Sequence, residues 1–185
     1  MSKLICGKPH KILIYKDQIA KRIEWCANKI IHDYKDSKKT LLLVPILVGG
    51  LDFAVALRKE LREMGKITHM DPVRFNSYKN NKPGPLKMLA TPGLDWSKYD
   101  VLILEDIVDT AKTLKKAHRY FKDLDPASLK YAVVVEKTEH EALGFFLDYV
   151  LFPKVDRNLY LTGFGLDYKG EGREFEDIWC EVKSN

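Results

Sequence analysis

The chain has 185 residues, of which 45% are hydrophobic and 31% charged, as expected of one globular domain that can bury its own core. Its formal net charge of +5 is spread along the chain, which favours small anionic ligands over a nucleic-acid partner. The three cysteines lack metal-ligand spacing, which predicts a cytoplasmic protein without disulfides or a zinc site. The apolar runs are too short to span a bilayer, so neither a targeting signal nor membrane contact is predicted.

Strand and helix periods alternate along the first third of the chain. A short strand is predicted near 12–15, and Asp17 is a suitable N-cap for the helix that follows. The continuous apolar run 41–47 predicts a strand buried on both faces of a parallel sheet. The glycine pair 49–50 then predicts a turn into a second helix.

The middle of the chain is less regular. A third strand is predicted at roughly 67–75, where Pro72 indicates an edge or a bulge. Residues 76–94 are rich in Pro, Gly, Asn and Lys and predict a long polar loop, which in a compact domain is usually functional or mobile. The apolar run 101–104 predicts a buried strand.

A helix is predicted to begin near Thr113, and further strands are predicted at 131–135, 149–152 and 159–163. No repeat, low-complexity tract or linker divides the chain. Strands that alternate with helices predict an α/β fold with a mainly parallel sheet flanked by helices.

An acidic turn follows the strand predicted at 101–104. In an open parallel sheet, ligands bind beyond the carboxyl ends of the strands, and the adjacent carboxylates of Glu105 and Asp106 need a partner there, such as a ribose diol or magnesium. Asp109 and the short run 110–113 lead into a helix whose first N–H groups can bind phosphate. Each part alone also fits a solvated strand end or a simple N-cap, but together they predict a site for a phosphorylated ribose.

The segment VLILEDIVDTAKTL, residues 101–114, resembles the phosphoribosyl-pyrophosphate motif of type I phosphoribosyltransferases, and within them is most similar to the hypoxanthine/guanine branch. The resemblance extends from about Ile12 to Trp179. It implies a single domain over residues 1–185.

The resemblance also implies how that domain is divided. The core would comprise about 36–150, and a small hood would be formed by about 1–16 and 151–185.

The resemblance implies a role for each residue of the motif. Glu105 and Asp106 would hold the ribose hydroxyls, and Asp109 would accept the proton near N7 of a purine. The 5-phosphate would be bound by Thr110, Ala111, Lys112 and Thr113. Ala111 stands where the family usually has glycine, so its methyl group is expected to crowd the phosphate or to require a negative φ.

Two further segments would bind pyrophosphate and cover the site. Backbone N–H groups of Val48 and Gly49 would bind pyrophosphate, although the family commonly has Lys or Arg where Val48 stands, and Arg173 would bind it bidentately. Ser77 and Tyr78 would lie at the base of a mobile flap that closes over the reacting centre and excludes water.

The base would be recognised near the C-terminus. The resemblance implies that Lys137 donates to O6 of a 6-oxopurine, which a pure donor selects over the amino group of adenine. Tyr160 would stack on the purine, and the Leu161 backbone would contact its edge. Asp167 would contact the base or a metal-bound water, so Glu105, Asp106 and Asp167 are the predicted metal-site residues.

The implied reaction transfers 5-phosphoribose from phosphoribosyl pyrophosphate to N9 of hypoxanthine or guanine, with Mg²⁺ as cofactor and a homodimer or homotetramer as the assembly. Two alternatives stay open at this point. A non-catalytic regulator that senses phosphoribosyl pyrophosphate is favoured by Val48 and Ala111, because both alter substrate-contact turns. A phosphoribosyltransferase for another base, such as xanthine, would carry the same motif, and Lys137 disfavours only adenine.

Overall fold

A computed structural model describes residues 2–79, 82–90, 92–137 and 143–182, with side chains for all of these except 76–79 and 82–87. The helices of the described part are α1 (Lys16–Asp33), α2 (Gly50–Glu63), α3 (Lys112–Asp123) and a 3₁₀ turn at Trp96–Lys98. The strands are β1 (Ser2–Ile5), β2 (Lys8–Ile14), β3 (Thr40–Leu47), β4 (Thr68–Met70), β5 (Val73–Lys79), β6 (Lys82–Ala90), β7 (Tyr99–Val108), β8 (Ser128–Glu136), β9 (Tyr149–Phe152), β10 (Leu161–Thr162) and β11 (Ile178–Glu181). None of the helices in these ranges is both long and apolar enough to cross a membrane.

The larger sheet has the strand order β6-β5-β3-β7-β8-β9, and β4 also pairs with β3. The pairs β3–β4, β3–β5, β3–β7, β7–β8 and β8–β9 are parallel, whereas β5 and β6 are antiparallel. The structure therefore confirms the predicted α/β fold with a mainly parallel sheet.

Helices cover both faces of this sheet. Successive strand residues point to opposite faces, so Leu41 and Leu43 belong to the apolar cluster that includes α1 and α2, while Leu42 and Val44 belong to the cluster that includes α3. All four leucine and valine side chains are fully buried. The continuous apolar run in β3 is thus explained by burial on both faces.

A smaller antiparallel sheet has the order β1-β2-β11-β10. Its strands come from the two ends of the chain, because β2 pairs with β11, and Trp179 lies opposite Ile12. The loops that connect its later strands lie over the carboxyl edge of the larger sheet, as the contacts of the site demonstrate.

Two predicted element boundaries are wrong. Helix α1 is capped by Tyr15 rather than Asp17; the Gln18 side chain accepts a hydrogen bond from the Tyr15 N–H at 2.9 Å, which leaves Asp17 in the first turn. The strand predicted at 67–75 is two strands, β4 and β5, because the extended strand is interrupted at Asp71 and Pro72.

The prediction of a long polar loop at 76–94 is also wrong, since most of this segment pairs as the antiparallel strands β5 and β6. Strand β6 is the first strand of the sheet order and has a free edge, where Pro and Gly are tolerated because fewer ladder hydrogen bonds are required. Composition alone therefore favoured a loop over an edge strand.

A buried carboxylate ties the end of this hairpin to the sheet. Asp71 is 7% exposed, and its oxygens accept hydrogen bonds from the Gly93 N–H at 3.0 and 3.1 Å and from the Leu94 N–H at 3.1 Å. The Trp96 Nε1–H donates to the same carboxylate at 3.0 Å. Three N–H groups would lose their acceptor if this carboxylate were removed.

We expect Asp71→Ala to lower the free energy of unfolding by roughly 2 kcal/mol, because the buried Trp96 N–H would lose its acceptor at a cost of about 1–3 kcal/mol, whereas the N–H groups of the exposed Gly93 and Leu94 can bond to water. Urea denaturation at neutral pH measures the change. Asp123→Ala, at an exposed position, is the matched control and should stay within about 0.5 kcal/mol of wild type. Equal stabilities for the two variants would contradict the anchoring role.

Candidate active site

The candidate site lies at one edge of the larger sheet, where the three neighbouring parallel strands β3, β7 and β8 end. The pairing of Pro45 with Leu104 aligns β3 with β7, and the pairing of Val108 with Glu136 aligns β7 with β8. The turn after β3, the loop after β7 and Lys137 after β8 therefore lie side by side. Carboxyl ends of parallel strands are where ligands bind in open α/β sheets.

The acidic pair belongs to β7 itself rather than to a turn after it, because β7 continues to Val108. Glu105 is half-buried and Asp106 is buried, and the Asp106 Oδ1 accepts a hydrogen bond from the Ile107 N–H at 2.8 Å. Burial and the neighbouring Asp106 raise the pKa of Glu105 well above its ordinary value. Within the ranges that the structure covers, no Lys or Arg lies within ion-pair distance of either carboxylate.

The turn after β3 packs directly against this pair. A Cβ placed on Gly49 would lie 1.9 Å from the Asp106 Oδ2, so any other residue here would displace the Asp106 carboxylate. The peptide bond between Leu47 and Val48 is cis, and the Val48 side chain is 46% exposed. The backbone of the predicted pyrophosphate turn is thus held against the predicted ribose-binding strand.

A cleft of about 210 Å³ lies beside the loop between β7 and α3. Five predicted site residues line it: Glu105, Asp109, Thr110, Ala111 and Thr113. Asp106 and Lys112 do not line the cleft. The exposed hydroxyls of Thr110 and Thr113 and the N-terminus of α3 give this cleft the donors that a phosphate needs.

Ala111 has φ +60° and ψ −12°, the left-handed conformation for which glycine is the usual choice. The expectation of a negative φ is therefore wrong. The Ala111 methyl group is 5% exposed and belongs to the same buried apolar cluster as Val108 and Leu114. Burial of the methyl group offsets part of the conformational cost and explains how alanine occupies this position.

Lys137 is 7% exposed and lies between the β7 loop and the C-terminal segment. Its N–H donates to the Val108 carbonyl at 2.9 Å, and its Nζ donates to the Leu159 carbonyl at 2.5 Å. Burial lowers the pKa of the Lys137 ammonium, and the negative charges of Asp109 and Asp156 oppose that shift. The ammonium is therefore held at the carbonyl of the residue that precedes Tyr160, the residue predicted to stack on a base.

The C-terminal segment reaches the turn after β3. A Cβ placed on Gly165 would lie 2.2 Å from the Gly49 carbonyl oxygen, and the Gly165 φ of +90° also favours glycine. The Arg173 guanidinium donates to the Gly165 carbonyl at 2.5 Å and forms an ion pair with Asp167. Arg173 and Asp167 are thus brought to the predicted pyrophosphate turn.

A second cleft, of about 400 Å³, contains Tyr160 and Asp167. It is also lined by Lys8, Tyr168 and Lys169, which the sequence analysis did not identify. Lys8 comes from the other end of the chain, so no local sequence pattern indicates that it lies here. Tyr160 is 62% exposed, whereas Leu161 is buried in β10.

The predicted metal cluster is not assembled in the described residues, and the predicted contacts at the flap base lie outside them. Ser77 and Tyr78 have their backbone in β5, but their side chains, and with them the predicted contacts at the flap base, lie outside the described residues. No group of three or more metal-ligating side chains is found in ranges 2–79, 82–90, 92–137 and 143–182, so Glu105, Asp106 and Asp167 do not form one cluster. Asp167 is instead held by Arg173 and by the Gly170 N–H, at 2.7 Å.

The chain is similar to a known protein family, both in sequence and in structure. Residues 13–169 match the phosphoribosyl transferase domain family. A hypoxanthine-guanine phosphoribosyltransferase of Streptococcus pneumoniae is 31% identical over 182 residues, which cover 95% of this chain and 96% of that protein. A protein of the same name from Aquifex aeolicus is 28% identical over 96% of this chain and 97% of its own length. The crystal structure of the hypoxanthine phosphoribosyltransferase of Trypanosoma cruzi superposes with a TM-score of 0.82 at 32% identity, over 94% of this chain and 97% of that one.

We expect Ala111→Gly to leave stability within about 1 kcal/mol of wild type, because relief of the left-handed strain is offset by the lost methyl burial and the greater freedom of the unfolded chain. Ala111→Val should lose roughly 3 kcal/mol, since a β-branched side chain is strained at positive φ and overpacks the cluster. Thermal and urea denaturation of both variants test this pair. A valine variant as stable as the glycine variant would refute the left-handed conformation.

Proposed function

This chain belongs to the phosphoribosyl transferase family, and on that premise we propose that it is a purine-salvage enzyme, a hypoxanthine/guanine phosphoribosyltransferase. It transfers 5-phosphoribose from phosphoribosyl pyrophosphate to N9 of hypoxanthine or guanine and releases pyrophosphate. The observation that carries this proposal is the meeting of the Gly49 turn, the Asp109 loop and Lys137 at the ends of three adjacent strands.

The phosphoribosyl end of the substrate fits the larger-sheet edge. The cleft along the β7–α3 loop offers the Thr110 and Thr113 hydroxyls and helix N–H groups to the 5-phosphate. Glu105 and Asp106 are acceptors for the ribose 2- and 3-hydroxyls. The N–H groups of Val48 and Gly49 face pyrophosphate, and Arg173 supplies a guanidinium close to the same turn.

The base end fits the space between Lys137 and the C-terminal segment. The Lys137 ammonium has three N–H donors, of which one is engaged by the Leu159 carbonyl, so donors are left for a purine O6. Tyr160 follows Leu159, its side chain is exposed, and its ring meets that of Tyr168 edge-on at 6.1 Å, which leaves a ring face for the base to stack on. An ammonium cannot accept a hydrogen bond, so this geometry supports selection of 6-oxopurines over adenine.

At the ribose carbon, the protein acts mainly by placing charged groups around the reacting atoms and not by forming a covalent bond to the substrate. The transition state is oxocarbenium-like, and orientation of the two substrates supplies most of the acceleration. Asp109 lines the cleft and lies close enough to Lys137 to oppose the depression of its pKa, so its carboxylate is suited to take the proton from N7 of the base.

We propose Mg²⁺ as the cofactor, held by Glu105 and Asp106 together with substrate oxygens. Their carboxylates have no cationic partner among the described residues, which suits a divalent ion. Magnesium is commonly bound by one or two protein carboxylates plus phosphate oxygens, so a complete protein cage is not required. When bound, it neutralises the leaving pyrophosphate. Asp167 is no longer a proposed ligand, because Arg173 and the Gly170 N–H engage both of its oxygens.

A homodimer or homotetramer is the proposed assembly. Leu51 and Val55, in the first two turns of α2, are exposed apolar residues with exposed fractions of 36% and 57%, and they support contact with a second copy. A cytoplasmic location is supported by the cysteines, all three of which are free.

The proposal is tested by assaying pyrophosphate release with hypoxanthine, guanine, xanthine and adenine in parallel. We expect turnover with hypoxanthine or guanine and at least about 10³-fold lower kcat/KM with adenine, because adenine leaves the Lys137 donors without an acceptor. Preference for xanthine would establish the other enzyme alternative. Binding of phosphoribosyl pyrophosphate without turnover of any base would establish the sensor.

Asp109→Asn should lower kcat by roughly 10²-fold at saturating substrates, since a positioned general base contributes about 10²–10⁴-fold. The KM for phosphoribosyl pyrophosphate should change little because the amide retains the shape of the carboxylate. Asp123→Asn, at the far end of α3, controls for loss of one negative charge. Wild-type kcat in the Asp109 variant would exclude the proton-acceptor role.

A further inference from the structure

Two hydrogen bonds from side chains to backbone join Lys137 to the segment 157–159 near the base end of the site. The Arg157 Nε–H donates to the Lys137 carbonyl at 2.8 Å, and the Lys137 Nζ donates to the Leu159 carbonyl at 2.5 Å. The Arg157 side chain thus binds the backbone of Lys137, and the Lys137 side chain binds the backbone two residues after Arg157. Neither bond belongs to a strand ladder.

This reciprocal contact joins segments that the sheet no longer connects. The last described pairing of β8 with β9 is Val135 with Phe152, where β9 ends, and β8 continues only to Glu136, which pairs with Val108 of β7. Two further backbone hydrogen bonds hold the end of β8. The Val155 N–H donates to the Glu136 carbonyl and the Lys137 N–H donates to the Val108 carbonyl, each at 2.9 Å. Beyond these bonds, Arg157 is the described residue that fixes the Lys137 carbonyl.

We propose that Arg157 is a positioning residue for base recognition: it holds the Lys137 backbone so that the ammonium stays at the Leu159 carbonyl, from where it donates to a 6-oxopurine. This inference rests on the proposed function, in which Lys137 donates to O6. A guanidinium suits the task because its planar N–H groups have a fixed direction and are always charged. Its bond to a neutral carbonyl is charge-assisted and therefore stronger than a neutral hydrogen bond.

The exposure of Arg157 separates this role from a purely structural one. The residue is exposed, so its truncation removes no core packing, whereas Lys137 is buried and is held at both its N–H and its carbonyl. The expected effect therefore concerns the binding of the base rather than folding. The phosphoribosyl cleft contains none of the residues in this contact.

The first measurement compares Arg157→Ala with wild type at saturating phosphoribosyl pyrophosphate. The KM for hypoxanthine should rise about tenfold, as expected for loss of one charge-assisted hydrogen bond that orders the donor. The kcat and the KM for phosphoribosyl pyrophosphate should stay within about twofold, because the interaction contributes to binding of the base alone. Arg119→Ala, which removes an exposed arginine from α3, is the matched control.

The second measurement is a double-mutant cycle with Lys137→Met, which removes the ammonium and keeps most of the buried stem. If Arg157 acts through Lys137, then the double variant should have the same hypoxanthine KM as Lys137→Met alone. Additive effects would overturn the inference, as would an unchanged KM in Arg157→Ala when Lys137→Met is impaired. An unchanged KM in Lys137→Met would instead remove Lys137 from the proposed function, and the inference with it.

Discussion

The close approach of three distant segments at Gly49 determines the geometry of the whole site. The Asp106 carboxylate occupies the space that a Cβ on Gly49 would need, and Gly165 lies against the Gly49 carbonyl from the other side. Strand β7, the turn after β3 and the C-terminal segment are therefore in van der Waals contact. Because a packed interior has almost no free volume, a side chain at either glycine would separate the acidic pair from the turn or lift the segment that carries Asp167 and Arg173. The pyrophosphate and ribose positions are thus set by backbone packing.

Burial at this edge moves the charged groups of both signs toward their neutral forms. It raises the pKa of Glu105 and lowers that of Lys137, since desolvation penalises a carboxylate and an ammonium alike. The two groups are not paired with each other: one lies in β7, and the other is bonded to the Leu159 carbonyl. In the proposed site, each therefore has capacity left for a substrate, a diol or metal ion for the acid and a carbonyl oxygen for the N–H donors that Leu159 does not engage. A site built in this way gains electrostatic stabilisation when both substrates are present.

Sequence reasoning succeeded where the chemistry is contiguous. The apolar strand, acidic pair, Asp109 and Thr-Ala-Lys-Thr run are local features, and the α/β alternation follows from their periods. It failed where the outcome depends on distant partners. The free edge of β6 accommodates a segment whose composition favours a loop, and burial of the Ala111 methyl group permits a conformation that its own backbone disfavours. The contact between Gly165 and Gly49 and the arrival of Lys8 beside Tyr160 join opposite ends of the chain, and no local pattern encodes them.

In the proposed site, the two ends of the substrate are bound by structures of different kinds. The ribose and the 5-phosphate face one continuous segment that begins inside a central strand and ends in α3, so the geometry of this segment is inherited from the sheet. The base end is assembled from segments that have left the sheet and are held by side-chain bonds to backbone, as in the contact of Arg157 with Lys137. Loops held in this way can change without disturbing the core, whereas the residues of β7 cannot. In the proposed site, the choice of base is consequently separable from the transfer chemistry, because substitutions at 157–160 alter the surroundings of Lys137, and none of these residues lines the cleft beside Asp109.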